Sequence, residues 1–321
     1  MLTYAARAVA HRYARHSARP DVIIGTTVHP LAAFVAAKLA QRYNVPFIFE
    51  VRDLWPQTLI DMGRMSPQGI QARLLRRLEK WLCLRASRII TVLPRASEYL
   101  MGFGVKAEKI IWLPNGVDLV DFPNPPTPRE KDTFDLMYFG AHGTANGLEN
   151  LLRAMEILEQ GVHAKAIRLR LIGDGPLKEG LIKLAQALGL KSVVFEPPVP
   201  RSQIPSLAAQ ADAFVFNLID LPVFRFGISS NKLFDYMAGA RPILFCSNAG
   251  NNPVDEADAG LTVRPDEPKE LAHAIERLLD RPLDERIRMG QNARAYVEQH
   301  YDYARMAQKL SALLDEVVQS A

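Results

Sequence analysis

The chain has 321 residues, 48% of them apolar and 23% charged, which suits two ordinary domains with their own cores and argues against a disordered or fibrous chain. Its net charge of +4 is mildly basic, and its two cysteines, Cys83 and Cys246, are far apart and outside any metal-ligand spacing, so neither a disulfide framework nor a metal site is implied. No apolar run approaches the ~20 residues needed to span a bilayer, and the Arg- and Ala-rich start lacks an apolar signal-peptide core.

In chain order, residues 3–18 read as a helix broken at Pro20, and Asp21–Gly25 reads as a buried strand. Leu31–Tyr43 is an alanine-rich helix and Pro46–Val51 the next strand. The spacing then predicts a helix over 67–86, a strand over Arg88–Leu93, a helix over Pro94–Met101 and a strand over Ile110–Leu113. Strands alternating with helices predict a parallel sheet covered on both faces. Phe122–Pro128 holds four prolines in seven residues, which continue neither a helix nor a central strand, so a linker is expected there. A second series follows, with strands at Phe134–Phe139, Ile167–Ile172, Val193–Glu196, Ala213–Asn217, Pro242–Cys246 and Gly260–Val263. Helices are expected between them near 147–160, 176–188, 203–210, 231–239 and 268–280, and two more close the chain near 283–299 and 303–318. The expected domains are 1–124 and 125–302, with the closing helix 303–321 packing back on the first.

Charge is uneven. The first 20 residues carry Arg7, His11, Arg12, Arg15, His16 and Arg19 with no acid. Residues 73–88 carry Arg73, Arg76, Arg77, Lys80, Arg85 and Arg88 against Glu79 alone. A basic face of this kind suits an anionic membrane; the aromatics that nucleic-acid binding would interleave are missing. A solvated domain helix accounts for the second cluster equally well.

Five segments carry candidate chemistry. Phe139–Gly147 contains Gly140, Gly143 and Gly147 between a strand and a helix, where backbone N–H groups and a helix N-terminus can meet a phosphate. Leu171–Pro176 repeats the arrangement with Gly173 and Gly175. Each is equally a plain Gly-rich turn, although both lie at strand C-terminal ends, where open α/β sheets bind ligands. Phe224–Pro242 holds Ser229, Ser230 and Asn231 as cap candidates and Lys232 and Asp235 on one helix face, suited to a diphosphate and a ribose diol or to a surface ion pair. Leu113–Asp118 contains an Asn-Gly turn with Asp118 placed to bond the backbone. Glu50–Pro56 sets Arg52 and Asp53 at a strand end, as a structural network or as a group orienting a sugar hydroxyl or phosphate. His29 is a lone histidine after the first strand.

Taken in order, these segments resemble retaining glycosyltransferase family 4 of the GT-B fold, over nearly the whole chain. Glu50-Val-Arg-Asp-Leu-Trp-Pro-Gln-Thr58 and Phe226-Gly-Ile-Ser-Ser-Asn-Lys-Leu-Phe-Asp-Tyr-Met-Ala238 look like the branch that builds bacterial O-antigens and capsules, including enzymes similar to N-acetyl-L-fucosamine transferases. The resemblance implies an α/β chain of two Rossmann-like doubly wound domains facing a cleft. It implies transfer of a sugar from a nucleotide-sugar to a polyprenyl-diphosphate-linked glycan, with retention and with no cofactor or metal; a cytoplasmic protein is expected, with peripheral contact at the inner face of the cytoplasmic membrane as an option that the basic helix adds, and no nucleic acid partner. Asp235 stands where the family holds the ribose with a carboxylate, and Gly227 stands where it has a second one. Backbone amides of Gly227, Ile228 and Ser229 are therefore expected to read the sugar. The family's basic residues in the first donor-domain loop correspond to Ala141 and Asn146, so Lys232, Arg225 and His142 are the replacement candidates for neutralising the diphosphate. Asn231 completes this group, and the nucleobase is expected near Pro198 and Val199. Arg52-Asp53 replaces a His-Asp pair; with Lys232 they are the candidate catalytic residues.

The family opens with a strand and Gly-rich loop that would precede the first helix here, so the N-terminal domain is expected to lack its first βα units, with a partner chain as one way to cover the sheet edge. Two other functions share these features: a nucleotide-sugar-binding subunit or inactive fragment that needs a partner, and a GT-B nucleotide-sugar epimerase, which the Asn-Gly-Val-Asp and Lys232/Asp235 context disfavours.

Overall fold

The computed structural model describes residues 19–27, 30–161 and 166–320. The helix expected over 3–18 and His29 lie outside them. The described part of the N-terminal domain is a four-stranded parallel sheet of β1 (Ile23–Thr26), β2 (Phe47–Val51), β3 (Arg88–Thr91) and β4 (Ile110–Trp112), in that spatial order. Helix α1 (Pro30–Tyr43) turns its small residues Ala33, Ala37 and Ala40 inward, which lets it lie close on β1. A Cβ on Gly25 would come within 2.8 Å of the Ala36 Cβ, so a side chain there would push the helix off the sheet.

Helix α2 (Gln57–Asp61) was not expected from the sequence; it follows Pro56 directly. Helix α3 (Ile70–Arg85) starts three residues later than the pattern predicts, because Gly69 is extended as its cap residue, and it stops where Ala86 becomes extended and leads to β3. The next helix is likewise trimmed to α4 (Ala96–Leu100).

The C-terminal domain contains β5 (Phe134–Phe139), α5 (Leu148–Glu159), β6 (Ile167–Ile172), α6 (Lys178–Ala187), β7 (Val193–Glu196), α7 (Ile204–Ala208), β8 (Ala213–Asn217), α8 (Asn231–Ala238), β9 (Ile243–Cys246), α9 (Pro253–Glu256), β10 (Gly260–Val263) and α10 (Pro268–Leu279). Its six strands pair in parallel in the order β10-β9-β8-β5-β6-β7, the doubly wound arrangement, with the order reversing between β5 and β8. Strand alternation supplies both cores: Phe134, Leu136 and Tyr138 face α5 and α10, while Met137 and Phe139 face α7 and α8. The extra helix α9 has a local signal: the Asn252 side chain accepts from the Val254 and Asp255 amides, and Pro253 takes the first helical position.

The two domains are joined twice. Between β4 and β5 the linker around Phe122–Pro128 has no regular structure. Buried Arg241 donates to the carbonyls of Pro126, Ala209 and Ala211, and Arg294 donates to those of Phe122 and Ala238, which fixes the linker to the C-terminal domain. After α11 (Leu283–His300) the chain crosses back: the Val117 amide donates to the Tyr301 carbonyl and the Tyr303 amide to the Val117 carbonyl. Helix α12 (Tyr303–Gln319) then lies on the second face of the N-terminal sheet, with Leu313 and Val317 against Ile48 and Ile90.

Candidate active site

The reversal between β5 and β8 opens a crevice at the C-terminal ends of these strands, and the N-terminal domain forms its other wall. The cleft between them encloses about 340 Å³. Arg52, Asp53, Leu54 and Thr58 after β2, Val92 and Leu93 after β3, and Asn115 after β4 line one side. Ala145 and Asn146 after β5, Phe216 and Leu218 of β8 and its following loop, Phe224, Gly227–Ser230 and Lys232 line the other.

Lys232 sits in the first turn of α8 with its ammonium at the cleft. Its Nζ bonds the Asn146 Oδ1, lies 3.1 Å from the Tyr138 hydroxyl, and stands 4.7 and 5.1 Å from the ring centroids of Tyr138 and Phe216. Among the described residues no carboxylate pairs with it. Ring faces attract the cation but do not replace its water, and desolvation lowers its pKa from 10.5 to about 7. Burial raises the Tyr138 pKa, so the phenol stays neutral and donates to the Ala141 carbonyl at 2.7 Å.

Asp235, three residues on, does not pair with Lys232. Arg201 holds both of its oxygens, at 2.5 and 2.8 Å, and the carboxylate is 3% exposed. Desolvation raises the Asp235 pKa and Arg201 opposes it. Arg201 itself is half exposed, just beyond the Pro198–Val199 loop, and no sequence signal marked it. The shared helix face therefore separates into two unlike sites, an unpaired cation in the cleft and a capped carboxylate beside it.

Several expectations are corrected. His142 cannot neutralise a diphosphate. It is 0% exposed, its ring packs against Tyr138 and Phe195, and among the described residues neither ring nitrogen has a partner. Desolvation, then Lys178 and Lys232, lower its pKa against the pull of Asp174, which disfavours the charged form. Chain packing by itself requires glycine at residues 173 and 175. A Cβ on Gly173 would lie 1.9 Å from the Gly140 carbonyl, and one on Gly175 2.6 Å from that of His142, with φ of +144° and +157°. Gly140 and Gly143 belong to the turn that delivers Asn146, which the Asn217 side chain holds through the Asn146 and Gly147 carbonyls. Arg225 is exposed, stacks 4.6 Å over Phe226, and does not line the cleft. Pro198 and Val199 lie on the loop after β7 and exposed Asn231 opens α8; none of the three lines the enclosed cavity.

Of the amides expected to read a sugar, that of Gly227 already donates to the Phe224 carbonyl and that of Ile228 to the Asn251 side chain. Ser229 does not cap α8. Its hydroxyl accepts from the Asn115 amide at 2.8 Å and its carbonyl from the Asn115 side chain at 2.7 Å, tying the two domains together across the cleft. Ser230 is the cap residue, without a side-chain capping bond. The fourth motif behaves as read, with Asp118 accepting from the Val120 amide. On the N-terminal wall, the Thr27 hydroxyl receives the Arg52 and Asp53 amides and fixes both residues at the mouth. Desolvation raises the Asp53 pKa against the pull of Arg52.

Two protein families match these halves. The family described as glycosyl transferase 4-like domain matches residues 1–116, and that described as glycosyl transferases group 1 matches residues 133–281. A probable glycosyltransferase, WbjE of Pseudomonas aeruginosa, is 26% identical over 306 residues, 92% of this chain and 74% of WbjE. Among solved structures, sucrose-phosphate synthase from Thermosynechococcus elongatus superposes with a TM-score of 0.75 at 21% identity, over 94% of this chain and 74% of that one. HepE of Anabaena, in complex with UDP and glucose, gives 0.70 at 19% identity, over 98% and 81%. At these identities the two structures establish the fold.

Proposed function

We propose that the chain, a glycosyltransferase enzyme of the GT-B fold whose halves match the glycosyl transferase 4-like and group 1 families, moves a sugar from a nucleotide-sugar to a lipid-linked glycan with retention of configuration. The observation that carries the donor side is Lys232, a cleft cation without a carboxylate partner. A diphosphate would complete its coordination, restore its charge, and leave as the glycosidic bond breaks. Lys232 then stabilises the charge that develops on the departing diphosphate, while Arg52 and Asp53 face it from the other wall and orient the sugar and acceptor. In the retaining route the leaving diphosphate itself takes the acceptor proton on the face it departs from, so the protein supplies position and charge rather than a nucleophile. The resemblance to polysaccharide-building enzymes supports an N-acetylated deoxyhexosamine as the sugar.

Asp235 is assigned to the ribose hydroxyls, with Arg201 swinging aside when nucleotide enters. Asp235→Ala is expected to lower nucleoside diphosphate affinity about 10- to 100-fold, the worth of hydrogen bonds to a charged group. Arg201→Ala should change it by no more than a few-fold. The ribonucleotide should bind better than its 2′-deoxy analogue in the parent and equally well in Asp235→Ala; calorimetry on the two analogues checks this, and retained discrimination contradicts the assignment.

The acceptor side rests on α3. Ile70, Leu74 and Leu84 are 66%, 56% and 51% exposed among exposed Arg73, Arg77, Lys80 and Arg85. The Trp81 ring lies between Lys38 and Arg85, at 5.4 and 5.6 Å, and the helix's one acid, Glu79, is buried. No described helix is long and apolar enough to cross a membrane. An apolar stripe set among cations without exposed acids suits the surface of an anionic bilayer. Cosedimentation with anionic phospholipid vesicles is expected to fall about 30-fold in Arg73→Glu/Arg77→Glu, from about 1 kcal/mol per basic residue. Equal binding to neutral vesicles, or no loss in the variant, would favour a soluble acceptor such as a sugar phosphate.

A further inference from the structure

Helix α3 has a second, inward face, and a single carboxyl lies on it. Glu79 is 3% exposed; its Oε2 accepts from the Tyr99 hydroxyl at 2.7 Å, and among the described residues its Oε1 has no hydrogen-bond partner. The Trp55 indole N–H is likewise buried and, among the described residues, has no partner; it lies in the segment that carries Arg52, Asp53 and Leu54 into the cleft wall. Tyr99 belongs to α4, and its ring meets Phe226 of the C-terminal domain edge-on at 5.6 Å and Phe103 at 5.2 Å. The Phe226 carbonyl accepts from the Arg95 amide at 3.0 Å. Directly after Phe226, Gly227 approaches Pro94 so closely that a Cβ would lie 2.5 Å from its Cγ. Residues 94–99 thus grip the loop that forms the Gly227–Ser230 wall of the cleft.

We propose that Glu79 and Tyr99 are positioning residues for the donor site: the buried Glu79 carboxyl accepts from the Tyr99 hydroxyl, Tyr99 packs on Phe226, and Phe226 sets the Gly227–Ser230 wall. This rests on the donor-site reading given above. Neither residue touches substrate. The groups facing the carboxyl are Arg76 and Cys83 on α3, Tyr99 on α4 and the Trp55 backbone. Lys109 lies beyond Cys83, and Phe226 approaches from the C-terminal domain with Arg225 over its outer face. Desolvation dominates this set and raises the Glu79 pKa to about 8, against smaller opposing effects of Tyr99, Trp55 and Arg76. Because the folded value exceeds the unfolded one, the neutral acid persists through neutral pH. As pH rises through about 8 the carboxyl ionises; the Tyr99 hydroxyl still bonds it, but the cost of a buried charge outweighs that bond and favours opening of the pocket to water.

The test compares the full chain with Glu79→Gln, a neutral isostere, and Tyr99→Phe, which keeps the ring and removes the hydroxyl. Calorimetry with UDP and GDP is run from about pH 6.5 to about pH 9, alongside tryptophan fluorescence of the free proteins. The parent's affinity relative to Glu79→Gln is expected to fall about tenfold by about pH 9, as the competent fraction drops. Lys232 acts in both proteins alike, so the ratio isolates Glu79. A fluorescence step near pH 8 is expected in the parent and not in Glu79→Gln, and Tyr99→Phe is expected to lose the extra alkaline fall in affinity. A constant affinity ratio, or a parent without the step, overturns the proposal; so does an undiminished extra fall in Tyr99→Phe. No nucleotide binding by any of the three at any pH contradicts the donor-site reading itself, which the fluorescence step does not depend on.

Discussion

Lys232→Met is expected to lower nucleoside diphosphate affinity about 100-fold, the loss of a charge-assisted contact worth about 2.7 kcal/mol. Methionine keeps the stem that packs against Tyr138 and Phe216 but carries no charge. The pH dependence identifies the cause. In the free protein the ammonium gives up its proton near pH 7, because burial lowers its pKa from 10.5. A bound diphosphate raises that value again. Above about pH 7 binding must therefore take up a proton, and the parent's affinity falls by up to about tenfold per pH unit until the bound-state value is reached. Lys232→Met should lack that dependence. A lysine whose folded pKa is depressed opposes folding at neutral pH, so the variant is expected to melt no lower than the parent; a thermal scan beside the titration checks that the lost affinity is not lost fold.

Gly227→Ala is the second large effect, and it acts through the backbone. Gly227 has φ +95°, and its added methyl would meet Pro94 at 2.5 Å and the Asn251 side chain at 3.0 Å. Strain of about 1–3 kcal/mol and displacement of the loop from the N-terminal wall follow together. The melting temperature is expected to fall by about 4–10 °C, and sugar transfer by more than tenfold. Gly180→Ala on α6 is the matched control: nothing lies within 4 Å of its added methyl, and alanine favours a helix, so stability is expected to hold or rise. Equal effects at the two positions would remove the role assigned to the close approach at residue 227.

The fold was legible because its signals are local. A near-continuous apolar run, with all six residues buried, marks β5 as Phe134–Phe139, and four prolines mark the linker at 122–128. Helix ends were less so, since they depend on Gly69 and Ala86 turning extended. The site was legible as a set of segments but not as an arrangement. Lys232 and Asp235 share a helix face, yet the sequence does not say that Tyr138 and Asn146 surround one while Arg201 caps the other from a loop 34 residues away. His142 reads as a loop cation until the Gly173–Gly175 turn folds over it. The amides of Gly227 and Ile228 read as free because their acceptors, the Phe224 carbonyl and the Asn251 side chain, are conformational choices of other loops. Glu79 reads as one acid among surface arginines. Only the packing of α3 shows that it faces inward while the arginines do not.

The most direct test of the central claim, that Lys232 waits in the cleft for a diphosphate, is calorimetric titration with UDP and GDP at about pH 8 in two buffers of different ionisation enthalpy. The account predicts selective binding of one nucleotide with uptake of up to about one proton, both lost in Lys232→Met. Binding by a folded sample with no proton uptake and undiminished in that variant, or no binding of either nucleotide, would contradict it.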